Sequence, residues 1–113
     1  MGMASDEADG WVTSETVVNN TLGVHARPSS MVVQTAALYD AEITLSAPRF
    51  LFIAGQLVRD LEMWETIDAT CIIAVLMLVL TPGTPVLIRA RGPDAREAVE
   101  ALKELFDSGC GEA

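Results

Sequence analysis

Apolar side chains recur along this chain at two spacings, and the change from one to the other marks its elements. From Trp11 to Asn19 the chain is rich in aromatic and β-branched residues and runs into Asn19-Asn20, which predicts a strand running into a turn. From Pro28 to Tyr39 no breaker follows the proline. Val32, Val33, Ala36 and Ala37 fall there at helical spacing, with Tyr39 on the flank, and predict a helix. Glu42 to Ser46 alternates, with Ile43 and Leu45 on one side, as a strand does.

The stretch APRFLFIAGQLVRDLEMWE, residues 47–65, carries apolar positions at Phe50, Ile53, Ala54, Leu57, Val58, Leu61 and Trp64. That is a helix-like stripe, weakened by Gly55, which costs about 1 kcal/mol relative to Ala inside a helix. The spacing predicts an inserted helix. Thr66 to Asp68 reads as a short strand, and Thr70 to Val79 as a short, very apolar helix with Asp68 or Thr70 as its cap. TPGTP is a turn. Val86 to Arg91 alternates, with Val86, Ile88 and Ala90 inward and Leu87, Arg89 and Arg91 outward as a solvated basic face. Asp94 is placed to cap the last helix, with Glu97 three residues on in the manner of a capping box. That helix has the stripe Ala95, Ala98, Val99, Leu102, Leu105 and Phe106, and Gly109 follows it.

Strands alternating with helices in this order make an α+β layer, one mixed or antiparallel sheet with helices on one face. The 113 residues suffice for one core. Residues 1–10 are small and acidic and read as a flexible tail, which leaves a single domain over 11–113. Met63 and Trp64 are expected to pack.

Charge and cysteine usage narrow the chemistry. Sixteen acidic residues stand against seven basic ones, a formal net charge of -9. Such a chain does not condense on phosphate backbones, so no nucleic-acid partner is expected. The longest apolar run, Cys71 to Leu80, is about half of the roughly 20 residues that a membrane span needs, so no membrane insertion is expected. The start lacks the basic-then-apolar pattern of a signal peptide, and the reading is a cytoplasmic protein with reduced thiols. Cys71 and Cys110 form no CxxC pair and no cluster with the single histidine, so neither metal nor cofactor is expected.

That histidine, His25, lies in TLGVHARPSS, Thr21 to Ser30. A neutral imidazole is a nucleophile near pH 7 and needs no separate base to attack a phosphoryl group. Pro28 marks the first turn of a helix, so His25 stands just before free backbone N–H groups, which together with the helix dipole favour a bound phosphate. Arg27 adds a planar fork of donors suited to phosphate. There is no GxSxG, no P-loop and no carboxylate beside His25 in sequence. These residues can hold a phosphoryl group and are not equipped to process a complex substrate.

GVHARPSS closely resembles the active-site signature of the HPr family, the histidine phosphocarriers of the bacterial phosphoenolpyruvate-dependent sugar phosphotransferase system. The resemblance continues through MVVQTAALYDAEITL and resumes at TIDATCIIAVLMLVLTPGTPVLIRARGPDAREAVEALKELF, covering residues 14–45 and 66–107. It implies an open-faced β-sandwich, a four-stranded antiparallel sheet covered by three helices in the order βαββαβα, with an inserted segment around 47–65. It implies that His25 accepts a phosphoryl group from phosphoenolpyruvate-charged enzyme I and passes it to a downstream acceptor. The chain would be a carrier and not an autonomous enzyme. Arg27 would steady the phosphate, the N–H groups of Ala26 and Arg27 would face it, and Pro28 would fix the helix start. The family's docking surface maps here to Ile72, Ile73, Leu76, Met77 and Val79.

The chain departs from the family pattern in three places. Cys71 stands where many Gram-positive relatives carry a regulatory serine, so control by a serine kinase is expected to be missing. The thiol reads as a small semi-buried hydrophobe, with a redox switch as the alternative. The docking stretch is unusually apolar, and Thr70 replaces the basic neighbour common there. The insert is expected as a helix laid over the open face or an edge of the sheet, with a dimer contact or a partner-specific surface as the alternative. A competing function is a regulatory interaction module that binds a kinase or transcription regulator through residues 72–79 without obligatory phosphotransfer.

Overall fold

A computed structural model describes residues 5–6, 10–19 and 26–111. In chain order the elements are β1 (Ser5–Asp6), β2 (Val12–Val17), α1 (Ala26–Ala36), β3 (Glu42–Ile53), β4 (Gln56–Asp68), α2 (Ile72–Met77), β5 (Pro85–Arg91) and α3 (Ala95–Asp107), with a 3-10 turn at Gly109–Gly111. The strands form one antiparallel sheet in the order β1-β2-β5-β3-β4. Two residues of the stretch expected as a tail, Ser5–Asp6, pair with Thr13 and Val12 at one edge.

One face of the sheet builds the core. β5 alternates as its sequence predicts, with Val86, Ile88 and Ala90 buried; Val12, Ile43, Leu45 and Ala47 join them from β2 and β3. Against these pack Val32 and Ala36 of α1 and Ala98, Val99, Leu102 and Phe106 of α3, all buried. The stripe read for the last helix is therefore its core face. On the other face Arg89 and Arg91 are more than a solvated pair. Their guanidinium carbons lie 4.7 and 4.6 Å from the centroid of the Trp11 ring, as cation–π partners do, and Arg91 also pairs with Glu42 at 2.8 Å.

The insert is not a helix. Residues 47–65 extend β3 and β4 into one long hairpin, paired from Thr44↔Asp68 to Ile53↔Gln56. The tip is Ala54-Gly55, with φ of 54° and 81°, both in the left-handed region that a two-residue type I′ turn demands. Gly55, which weakens a helix, is what this turn needs. The hairpin is broken once. Pro48 faces Trp64 but Arg49 faces Asp60, so Leu61, Glu62 and Met63 bulge from β4 without a partner on β3. Inside the bulge the Trp64 indole N–H donates to the Leu61 carbonyl at 2.9 Å, and the Glu62 N–H donates to Asp60 Oδ1 at 3.1 Å. Met63 and Trp64, expected to pack, are exposed.

Two helix caps also differ from expectation. Asp94 stands at the start of α3, but its carboxylate makes no bond to that helix. It accepts the Asp40 N–H at 2.8 Å, while its own N–H donates to the Asp40 carbonyl at 3.1 Å, so the side chain ties the turn after α1 to the start of α3. Beside it Gly92 is obligatory. Its φ is 133°, and a Cβ there would lie 3.1 Å from both Ala41 Cα and the Asp40 carbonyl oxygen. At α2 the cap position falls to Cys71, while Asp68 Oδ1 is occupied by the N–H and hydroxyl of Thr70.

The topology fixes which end of the sheet matters. β2 and β3 both run antiparallel to β5, so they are parallel to each other and α1 is the crossover between them. Its C-terminal turn meets the start of β3 beside Asp94, so α1 begins at the opposite end, where β2 finishes. α3 runs to that same end. There the Thr16 hydroxyl donates to Asp107 Oδ1 at 2.6 Å, and Asn19 Nδ2 donates to the Asp107 carbonyl at 2.7 Å.

Asp107 gives this end a pH dependence. Desolvation pushes its carboxyl up, but the hydrogen bonds from Lys103 and Thr16 and the Lys103 charge outweigh it, so the pKa falls below the ordinary carboxylate value. A depressed folded pKa contributes stability at neutral pH that disappears as pH falls through it. Asp107→Asn is therefore expected to flatten the acid limb of the thermal-stability profile below pH 4, with a small effect at pH 7 because the group is largely exposed. An unchanged acid limb would remove Asp107 from this role.

Candidate functional site

The residue at the centre of the sequence reading, His25, lies outside the described residues. Its neighbours are placed. Ala26 opens α1, Arg27 follows it with an exposed side chain, and Pro28 is buried in the first turn. Proline's fixed φ suits a first turn, where its missing N–H has no intrahelical partner to lose. The first-turn N–H groups of an 11-residue helix are left without intrahelical acceptors, and the N-terminus carries the positive end of the helix dipole. An anion at this end thus meets backbone donors, a favourable dipole and the exposed Arg27 side chain.

α2 divides the predicted docking residues. Ile72, Ile73, Leu76 and Met77 are exposed, whereas Val75 and Leu78 face the core. Val79 is not on the exposed face. It lies beyond the helix, half-buried, with a φ of 51° in the left-handed region, costly for a β-branched residue. Its function here is to end the helix after six residues. Cys71 is exposed and unpaired, in place of the semi-buried position expected of it.

Arg59, which the sequence reading did not single out, explains how that turn persists. Its guanidinium reaches from the hairpin to donate to the carbonyls of Pro48 at 2.9 Å and Leu78 at 3.1 Å, and to that of Val79. A cation thereby occupies the carbonyl end of α2 and binds the strained residue to β3. Partial burial lowers the Arg59 pKa and Glu65 opposes that, but an arginine keeps its proton throughout. We expect Arg59→Ala to cost about 1.5–3 kcal/mol, the range for hydrogen bonds to a charged group. Chemical denaturation measures it; a loss under about 0.5 kcal/mol would show that water replaces the clamp.

On the hairpin Phe50 pairs with Arg59 and Phe52 with Leu57, which puts the four side chains on one face. The two phenyl rings meet edge to face at 6.0 Å, and the guanidinium lies 5.8 Å over Phe50. Arg59 thus joins the C-terminal end of α2 to this aromatic face of the hairpin. Among the described residues no three His, Cys, Asp or Glu side chains gather as a metal site would require, and no helix is long and apolar enough to cross a membrane.

This arrangement has known counterparts. The family described as PTS HPr component, phosphorylation site, matches residues 12–108. The chain belongs to the HPr family. It is 31% identical over 94 residues to phosphocarrier protein HPr of Xylella fastidiosa strain 9a5c, covering 83% of this chain and 89% of that one. It is 34% identical over 95 residues to phosphocarrier protein NPr of Escherichia coli K12, covering 84% and 90%. Among solved structures, HPr-C-His from Thermoanaerobacter tengcongensis superposes with a TM-score of 0.70 at 27% identity, covering 89% of this chain and 97% of that one. The fold is thus the HPr-like open-faced α+β sandwich, four main antiparallel strands under three helices, and its role is that of a phosphotransferase-system phosphocarrier. The insert adds no element to that fold; it lengthens two strands of the HPr sheet.

Proposed function

We propose that this HPr-family chain accepts a phosphoryl group on His25 from phosphoenolpyruvate-charged enzyme I and delivers it to a downstream acceptor protein. A ring nitrogen of His25 attacks phosphorus as the bond to the donor breaks. The same P–N bond then breaks as the acceptor's nucleophile attacks. No net chemistry is left behind, which makes the chain a carrier and not an enzyme.

The observation that carries this reading is the start of α1 at Ala26, the residue after His25, with Arg27 exposed beside it. The N–H groups of Ala26 and Arg27 and the guanidinium would share the phosphate charge, and Pro28 would hold the turn that presents them. The stabilisation has to stay modest, because a phosphate bound too tightly would not leave. With a thiol at 71 the chain offers no serine there for regulatory phosphorylation.

The test is incubation with radiolabelled phosphoenolpyruvate and the cognate enzyme I. An acid-labile, alkali-stable label is expected, as a P–N bond gives. Absence of label, with the same enzyme I shown active on another carrier, would overturn the relay. The exposed residues of α2 would then favour the second reading, a regulatory module binding a kinase or transcription regulator.

A further inference from the structure

The long hairpin projects from the same end of the sheet at which α1 begins, and β5 accompanies β3 only as far as Ser46. Its Phe52 is 70% exposed, and across the Arg59 clamp Met77 of α2 is 69% exposed. Side chains of this size left open on adjoining elements are the usual mark of an interface centre. The hairpin is net acidic, with Asp60, Glu62, Glu65 and Asp68 on β4 against Arg59 there and Arg49 on β3. Glu62, Glu65 and Asp68 are exposed along β4, while Arg59 is spent on backbone carbonyls and Arg49 is paired with Asp60 at 3.4 Å.

We infer that the β3–β4 hairpin, joined to α2 through the Arg59 clamp, is a second docking wall for the phosphoryl donor, and that the donor's face is apolar at its centre and basic at its rim. The inference rests on the phosphocarrier reading above. The histidine is one residue before α1 in sequence, so a donor engaged there works at the end of the sheet from which the hairpin projects. The acidic rim both speeds encounter with such a face and rejects an acidic one.

The experiment measures the KM of the cognate enzyme I for the carrier and the maximal rate of labelling. The variant Phe52→Ser/Leu57→Ser removes the apolar centre of the wall. Leu38→Ser, equally apolar and 77% exposed but just after α1, is the control. We expect KM to rise about tenfold in the hairpin variant with the maximal rate unchanged, the scale of losing one well-packed anchor. The control should match wild type, and wild-type KM should rise with salt as the acidic rim is screened. A KM within twofold of wild type, or a fall in maximal rate alone, would overturn the docking wall while a labelled His25 kept the carrier reading intact. A KM that falls with salt would overturn the basic-rimmed partner. No label on wild type would overturn the carrier reading and the wall together.

Discussion

His25→Ala is expected to carry no label from phosphoenolpyruvate and enzyme I, a loss of at least about a thousandfold and in practice to background. The reason is chemical scarcity. His25 is the chain's only imidazole. At neutral pH no other side chain type here offers an uncharged nitrogen nucleophile, since arginine and lysine stay protonated. The N-terminal donors of α1 and the Arg27 guanidinium can hold a phosphate but cannot form a bond to phosphorus. The thermal transition, followed by circular dichroism, is expected to stay close to that of wild type and checks that the variant is folded. Retained label in the variant would place the phosphoryl group on another nucleophile, with alkali lability pointing to a serine hydroxyl or a carboxylate.

Phe106→Ala is expected to cost about 3–5 kcal/mol, the range for emptying a buried phenyl site. Total stability for a domain of this kind is about 5–15 kcal/mol, so the loss is a large part of it. The melting temperature should fall on the order of 15 °C. Phe106 is 1% exposed and sits on the last turn of α3, one residue before the Asp107 that holds Thr16 and Asn19. The cavity would open at the end of the sheet where β2 finishes, so labelling should also become more heat-sensitive than in Leu38→Ser. A fall under about 5 °C would mean that the surrounding aliphatic side chains collapse into the space.

Much of this protein can be read from its residues. Val86, Ile88 and Ala90 alternate because β5 lies between β2 and β3 with one face on the core, and the α3 stripe repeats because the helix buries one side. The start of α1 was legible from Pro28 and the motif around it. The hairpin was not. Its apolar residues fit a helical period as well as a strand, since they are dense enough to satisfy either, and the deciding residue was Gly55. A glycine weakens a helix but completes a type I′ turn, and Ala54 before it carries no turn signal of its own. Arg59 was invisible for a different reason. Its partners are main-chain carbonyls 11, 19 and 20 residues away, and a carbonyl has no signature in sequence. The early stop of α2 follows from the same clamp, so the docking stretch was read two residues too long at its C-terminal side.

The bulge at Leu61–Met63 bears on how such a carrier survives at working concentration. β4 is the outermost strand on its side of the sheet, and a straight outer strand of this length would offer the next molecule a row of free amides and carbonyls to zip onto. Three unmatched residues throw that row out of step halfway along, and Asp60, Glu62, Glu65 and Asp68 set like charges against any second copy arriving edge-on. The molecule can therefore display a greasy hairpin for short encounters without polymerising through its own rim, and a messenger that must be released after every delivery stays free to leave.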